Sequence, residues 1–254
     1  MAEAPLNLRA LWASTFAVFR GHAPELLLLS LLQAGGAVAA QGLYRAMAGG
    51  IAATPALGVV PWAVGFAPFV LADAAIVVVG LVALGGGKGR LGFALLAALG
   101  LMPAAVVIDL VENAPDLLAQ VFPVLNLETR RDLWAMAPIF IGIVWNVLWM
   151  PALAVAGEEH TGPLASLMRG VRLMKGEWWR VLSFTLPIHM LVLLPVVGLG
   201  MISAMSGMRF PGWVEPVAAA PFFALGSLTQ ATIYWELARL KDGVAPRQMG
   251  TIFD

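Results

Sequence analysis

The chain has 254 residues, 60% of them hydrophobic and 12% charged, with a formal net charge of zero. Its mean hydropathy of +0.86 is more than a soluble domain can hide from water, and the balanced charge exerts no global pull on nucleic acid. The absence of cysteine excludes disulfides, thiolate zinc sites and iron–sulfur clusters.

The pattern predicts an all-α polytopic membrane protein, one transmembrane domain over residues 1–254 with six spans and two amphipathic helices at the cytoplasmic face. A crossing helix needs about 20 apolar residues. Backbone groups in lipid must be satisfied internally, and the strands of a barrel would be shorter and would alternate.

Segment 6–20 is the first amphipathic helix. Leu8, Leu11, Trp12, Thr15, Phe16 and Phe19 share a face, with Arg9 and Arg20 elsewhere. No cleavable signal peptide is expected, because Glu3 stands in the N-terminal region and no short apolar run ends in a small-residue site. Span one, Leu26–Met47, follows Phe19-Arg20-Gly21-His22 and carries Gln33 at membrane depth.

Span two, Val59–Leu84, carries Asp73 among Phe69, Val70, Leu71, Ile76 and Val77. An ionised carboxylate at that depth costs about 2.5–3.5 kcal/mol. Asp73 is therefore expected to face the bundle, either as a proton- or cation-linked site or as a hydrogen bond that glues helices. Gly85–Arg90 is read as a tight cytoplasmic turn, since it lacks the spacing and preceding strand of a phosphate loop.

Span three is Leu91–Asp109. Asp109 and Glu112, one turn apart at its outer end, are expected at headgroup level where water solvates them. The outer connection Glu112–Asp132 includes Asn113-Ala114-Pro115-Asp116, a helix start. Leu117, Leu118, Val121, Phe122 and Leu125 follow at helical spacing, so a short helix on the outer face is expected, with Asp116, Glu128 and Asp132 solvated.

Span four, Leu133–Ala156, carries Asn146. Segment 162–176 is the second amphipathic helix, with Leu164, Leu167, Met168, Val171 and Met174 opposed to Arg169, Arg172 and Lys175. It leads through Met174-Lys175-Gly176-Glu177 into span five by way of Trp178 and Trp179. The similar entries to spans one and five read either as a weak repeat or as chance likeness in apolar sequence. Arg9, Arg20, Arg169, Arg172, Lys175, Trp178 and Trp179 are expected to contact lipid headgroups.

Span five, Val181–Met205, places His189 two residues after Pro187, which frees a carbonyl near Ser183. His189 has either that carbonyl or Asp73 as its candidate partner, and an Asp–His pair in a membrane would relay protons. Span six, Val217–Leu240, holds Gln230. Gln33, Asn146 and Gln230 are assigned to packing, since such amides bond across helices for about 0.6 kcal/mol. No cofactor or metal is expected; Met201, Met205 and Met208, at i, i+4 and i+7, are a set that soft Cu(I) would favour, but Met stripes ordinarily fill cores.

Basic residues set the orientation. With the N-terminus inside, the cytoplasmic regions hold eleven Lys and Arg and the outer loops only four, namely Arg45, Arg130, Arg131 and Arg209. Both termini are then cytoplasmic, and the Ala-, Gly- and Leu-rich composition suggests a bacterial plasma membrane.

The stretch Pro151 to Leu182 resembles the polytopic membrane domain of glycerophosphoryl diester phosphodiesterases and its stand-alone bacterial relatives. The shared features are a span ending in Pro-Ala, an acidic residue and Gly-Pro, then an amphipathic Arg/Leu helix, then Lys-Gly and Trp opening the next span. Ala231–Arg239 likewise resembles the family's last span. The catalytic barrel is absent, and His22, His160 and His189 do not supply its site, so the resemblance implies membrane location and no esterase activity. The expected role is non-enzymatic: a scaffold or accessory subunit that binds lipid, a partner membrane protein or a second copy of itself. The rival is a transporter or channel for a small solute or ion, built around Asp73 and His189. Breaks in the spans would favour the rival, and Pro61, Pro68, Pro103, Pro138, Pro187, Pro195 and Pro221 offer places for them.

Overall fold

In the computed structural model, residues 5–48, 55–112, 114 and 137–243 are described, and all regular structure among them is helical. In chain order the helices are α1 Leu8–Gly21, α2 Ala23–Ala48, α3 Pro55–Leu84, α4 Leu91–Glu112 and α5 Ala137–Trp149. They continue as α6 Ala152–Glu159, α7 Pro163–Met174, α8 Trp178–Ser206 and α9 Val214–Asp242. Among the described residues five stretches are long and apolar enough to cross a membrane: Phe66–Leu84, Leu91–Glu112, Ile141–Glu159, Trp178–Ser206 and Val214–Asp242. Helix α2, 26 residues long, coincides with the first expected span. The helix expected on the outer face after Glu112 lies outside the described residues.

Helix α3 is the centre. From Ala72 to Val82 it is buried all round, as the near-continuous apolar sequence requires. It packs against α2, α4, α6 and α9. Gly80 permits the closest approach: a Cβ there would lie 2.7 Å from both Ala231 Cβ and Leu228 Cδ1 of α9. Small residues at such crossings let membrane helices pack by van der Waals contact where the hydrophobic effect gives no help.

Span four is not one helix. It breaks at Met150–Pro151, between α5 and α6. Proline has no N–H to give the carbonyl of Val147 and crowds the preceding turn. Pro103, Pro187, Pro195 and Pro221, expected as possible breaks, instead lie inside continuous helices. One lost hydrogen bond is tolerated there because neighbouring groups re-satisfy the backbone. Past the break, every residue from Ala152 to Glu158 is buried.

The apolar stripes expected to meet the headgroup boundary are divided between the bundle and the surface. In α7 the buried set is Ser166, Leu167, Gly170, Leu173 and Met174. Leu164, Met168 and Val171, expected on the same stripe as Leu167 and Met174, are exposed. Gly170 decides this orientation, since a Cβ there would sit 3.3 Å from the backbone N of Ala152. Helix α1 starts at Asn7, whose Oδ1 accepts from the N–H groups of Arg9 and Ala10 at 3.0 and 3.2 Å. It buries Leu11, Thr15 and Val18, and Thr15 Oγ1 donates to Thr232 Oγ1 of α9 at 3.0 Å.

Several connections meet at one end of the bundle. The N–H of Leu6 donates to Glu177 Oε2 at 3.3 Å, and Arg180 donates to the same carboxylate oxygen at 2.9 Å. Arg169 of α7 donates to Glu159 Oε1 at 3.1 Å and to Asp242 at the end of α9. Burial works against the Arg169 charge, but the bonds to and charges of Glu159 and Asp242 outweigh it and raise its pKa. Arg169, expected at the lipid headgroups, is engaged by these two carboxylates and stays partly exposed. A Cβ at Gly89, in the α3–α4 turn, would come within 3.4 Å of His22 Cδ2, which places that turn at the same end. Arg9, Arg20, Arg172 and Lys175 are exposed, as is Trp179, while Trp178 is half-buried against it.

Candidate functional site

The five intramembrane polar residues singled out in the sequence lie on five different helices: Gln33 on α2, Asp73 on α3, Asn146 on α5, His189 on α8 and Gln230 on α9. All five line one cavity of about 420 Å³. Packing turns them inward because polar side chains are costly against lipid.

Asp73 is the hub. Its Oδ1 accepts from Ser227 Oγ and from Gln33 Nε2 at 3.4 Å, and its Oδ2 accepts from Gln230 Nε2 at 3.3 Å. Gln33 Nε2 also donates to Ser227 Oγ at 3.2 Å. All of these donors are neutral. Since a carboxylate can only accept, the amide groups of both glutamines are turned toward it, and their carbonyl oxygens are left over. Gln33 Oε1 and Gln230 Oε1 are buried with no hydrogen-bond partner. Ser227 was not singled out in the sequence; three residues before Gln230, it is a short hydroxyl among apolar neighbours and carries no signal of its own.

His189 does not pair with Asp73. Its Nδ1 lies 2.9 Å from the carbonyl oxygen of Thr185, one turn back, and not on the carbonyl near Ser183 that Pro187 frees. A carbonyl only accepts, so Nδ1 carries the proton in this bond and Nε2 of the neutral ring is an acceptor.

Asp109 and Glu112 correct the sequence reading. Both line the cavity instead of standing in headgroup water, and Glu112 is only 8% exposed. Helix α4 runs one turn further than expected, to Glu112, and Trp145 of α5 closes over it by donating to the carbonyl of Val111 at 2.6 Å. Glu112 Oε1 is buried without a hydrogen-bond partner. A signal existed: Ala94, Ala98, Ala105 and Ile108 form the packed stripe of α4, and Glu112 continues it at helical spacing.

Phe69 and Phe223 form part of the wall as an edge-to-face pair with ring centroids 6.5 Å apart. Met150, at the break in span four, also lines it. No lysine or arginine is among the described lining residues. The methionine set does not form a site. Helix α8 ends at Ser206, so Met208 leaves the expected face, and Met201, Met205 and Met208 are all exposed.

The fold and this cavity define a multi-pass helical membrane protein with a polar chamber at mid-bundle. No protein-family model, curated protein or solved structure matches the chain.

Proposed function

We propose that this chain is a non-enzymatic bacterial plasma-membrane protein of the transporter or channel type, which takes a small polar solute into the chamber around Asp73. The observation that carries the reading is the convergence of Gln33, Asp73, Asn146, His189 and Gln230 from five helices on one cavity. A bundle serving only as a scaffold gains stability by satisfying its polar groups against each other, yet three buried oxygens in this cavity have no partner. The break at Met150–Pro151 beside the chamber agrees with it, since interrupted helices accompany solute sites in transporters.

In this proposal α2, the first span in chain order, joins the five apolar stretches to make six spans, and α1 and α7 lie on the cytoplasmic leaflet. The contacts that gather Leu6, His22, Gly89, Glu177 and Asp242 at one end support it, as the segments that meet there carry ten of the eleven basic residues assigned to the cytoplasm, Arg247 lying outside the described residues. Exposed Leu164, Met168 and Val171 would then enter the acyl boundary, with Arg172 and Lys175 at the headgroups. The likeness of Pro151–Leu182 to the phosphodiesterase membrane domain rests on the sequence alone. Partner membrane proteins and self-association remain compatible with this role.

The test uses the absence of native cysteine. Gly142→Cys, Asn146→Cys and Val192→Cys, all at lining positions, are treated with a water-soluble thiol reagent in oriented vesicles. Labelling at these sites, with none at Leu96→Cys on the lipid-exposed face, is expected. Failure to label any lining position in either orientation would show a dry, closed interior and defeat the proposal.

A further inference from the structure

We propose that the solute is a small organic cation that carries an ammonium N–H group, held between Asp73 and Glu112. This rests on the reading of the chamber as a solute site and adds the chemistry of the ligand.

Apart from the amide of Asn146, the walls offer mainly acceptors. Three carboxylates line the cavity, those of Asp73, Asp109 and Glu112, with no lysine or arginine among the described lining residues. Three buried oxygens on its walls lack a hydrogen-bond partner: Gln33 Oε1, Gln230 Oε1 and Glu112 Oε1. His189 adds an acceptor nitrogen, because its Nδ1 proton is committed to Thr185. An unpaired buried acceptor costs about 1–3 kcal/mol, and several together are relieved only by a ligand that brings donors. An anion would bring more acceptors into a wall of acceptors. A neutral alcohol has one donor and leaves the carboxylate charge uncompensated.

A bare metal ion fits less well. Among the described residues no three His, Asp or Glu side chains are placed to share one ion, and about 420 Å³ lies within the 300–1,000 Å³ usual for organic ligands. The Phe69–Phe223 pair gives the remainder of such a ligand an apolar wall and offers its ring faces to the positive charge.

The full-length protein, purified into nanodiscs, is titrated with four probes of matched size: n-butylammonium, tetramethylammonium, butyrate and n-butanol. Binding of n-butylammonium is expected, at least tenfold tighter than tetramethylammonium, which has the charge but no N–H donor. Asp73→Asn and Glu112→Gln, each first shown to keep the thermal transition of the parent, should weaken n-butylammonium binding at least tenfold. Should one variant fail that check, the other and the probe ranking still decide. Binding led by butyrate or n-butanol would overturn the cationic ligand and leave the solute chamber standing. So would no binding of any probe together with positive thiol labelling of the lining cysteines. No binding and no labelling would remove both.

Discussion

Replacing Asp73 by alanine takes one acceptor group from three donors at once: Ser227 Oγ, Gln33 Nε2 and Gln230 Nε2. Side-chain hydrogen bonds between membrane helices average about 0.6 kcal/mol, so three give a loss of roughly 2 kcal/mol. Asparagine at the same site should cost under about 1 kcal/mol. It keeps one acceptor oxygen, and its new N–H₂ finds the unpartnered Gln230 Oε1 when that amide rotates. The partner assignment can be measured by double-mutant cycles on unfolding in mixed micelles. Asp73→Ala with Ser227→Ala should show a coupling of about 0.5 kcal/mol or more, as contacting pairs do. Asp73→Ala with His189→Ala should be additive, because His189 is bonded to Thr185. Coupling to His189 without coupling to Ser227 would refute this hydrogen-bond network and restore the proton-relay pair.

Three further outcomes are expected. Gly80→Ile, which drives new atoms into Ala231 and Leu228 from a Cβ 2.7 Å away, should cost about 1–3 kcal/mol as over-packing does; an unchanged melting transition in detergent would show that α3 and α9 do not meet there. Arg169→Ala, which removes the bonds to Glu159 and Asp242 at partly exposed positions, should lower stability by about 1 kcal/mol or less; a loss of about 3 kcal/mol or more on unfolding in detergent would show the pair to be shielded from solvent. Gly170→Val should displace α7, because its nearest neighbour is the Ala152 backbone; spin labels at Leu164 and Met168 that keep the parent's accessibility pattern would contradict that packing.

Much of the fold follows from local composition. Long apolar runs bounded by charge located α2, α3, α4, α8 and α9 to within a few residues of their ends, since helix is the usual way for such a run to satisfy its backbone in lipid. The break at Pro151 was not legible, although that proline opens the stretch that suggested a family likeness. Proline alone does not decide between kink and break, and four others stay within helices. The polar residues were legible one at a time, because each is costly in lipid. Their convergence was not, since it depends on how every helix is rotated about its axis. Glu112 was misplaced for a related reason. Its position near a span's end suggested solvent, while the alanine stripe behind it showed the inward face.

The discontinuity in span four divides its two halves mechanically. An intact helix must break a backbone hydrogen bond to flex sharply, whereas at Pro151 the bond to Val147 never forms. Helix α6 is held on all sides, from Ala152 against Gly170 to Glu159 against Arg169 and Tyr234. Helix α5 is tied to α4 through Trp145 and the carbonyl of Val111, and on its outer face Ile141 is 58% exposed. The outer half carries Gly142, Ile143 and Asn146 on the chamber wall, so a tilt about Met150 would change the chamber's width with no backbone bond to break at Pro151.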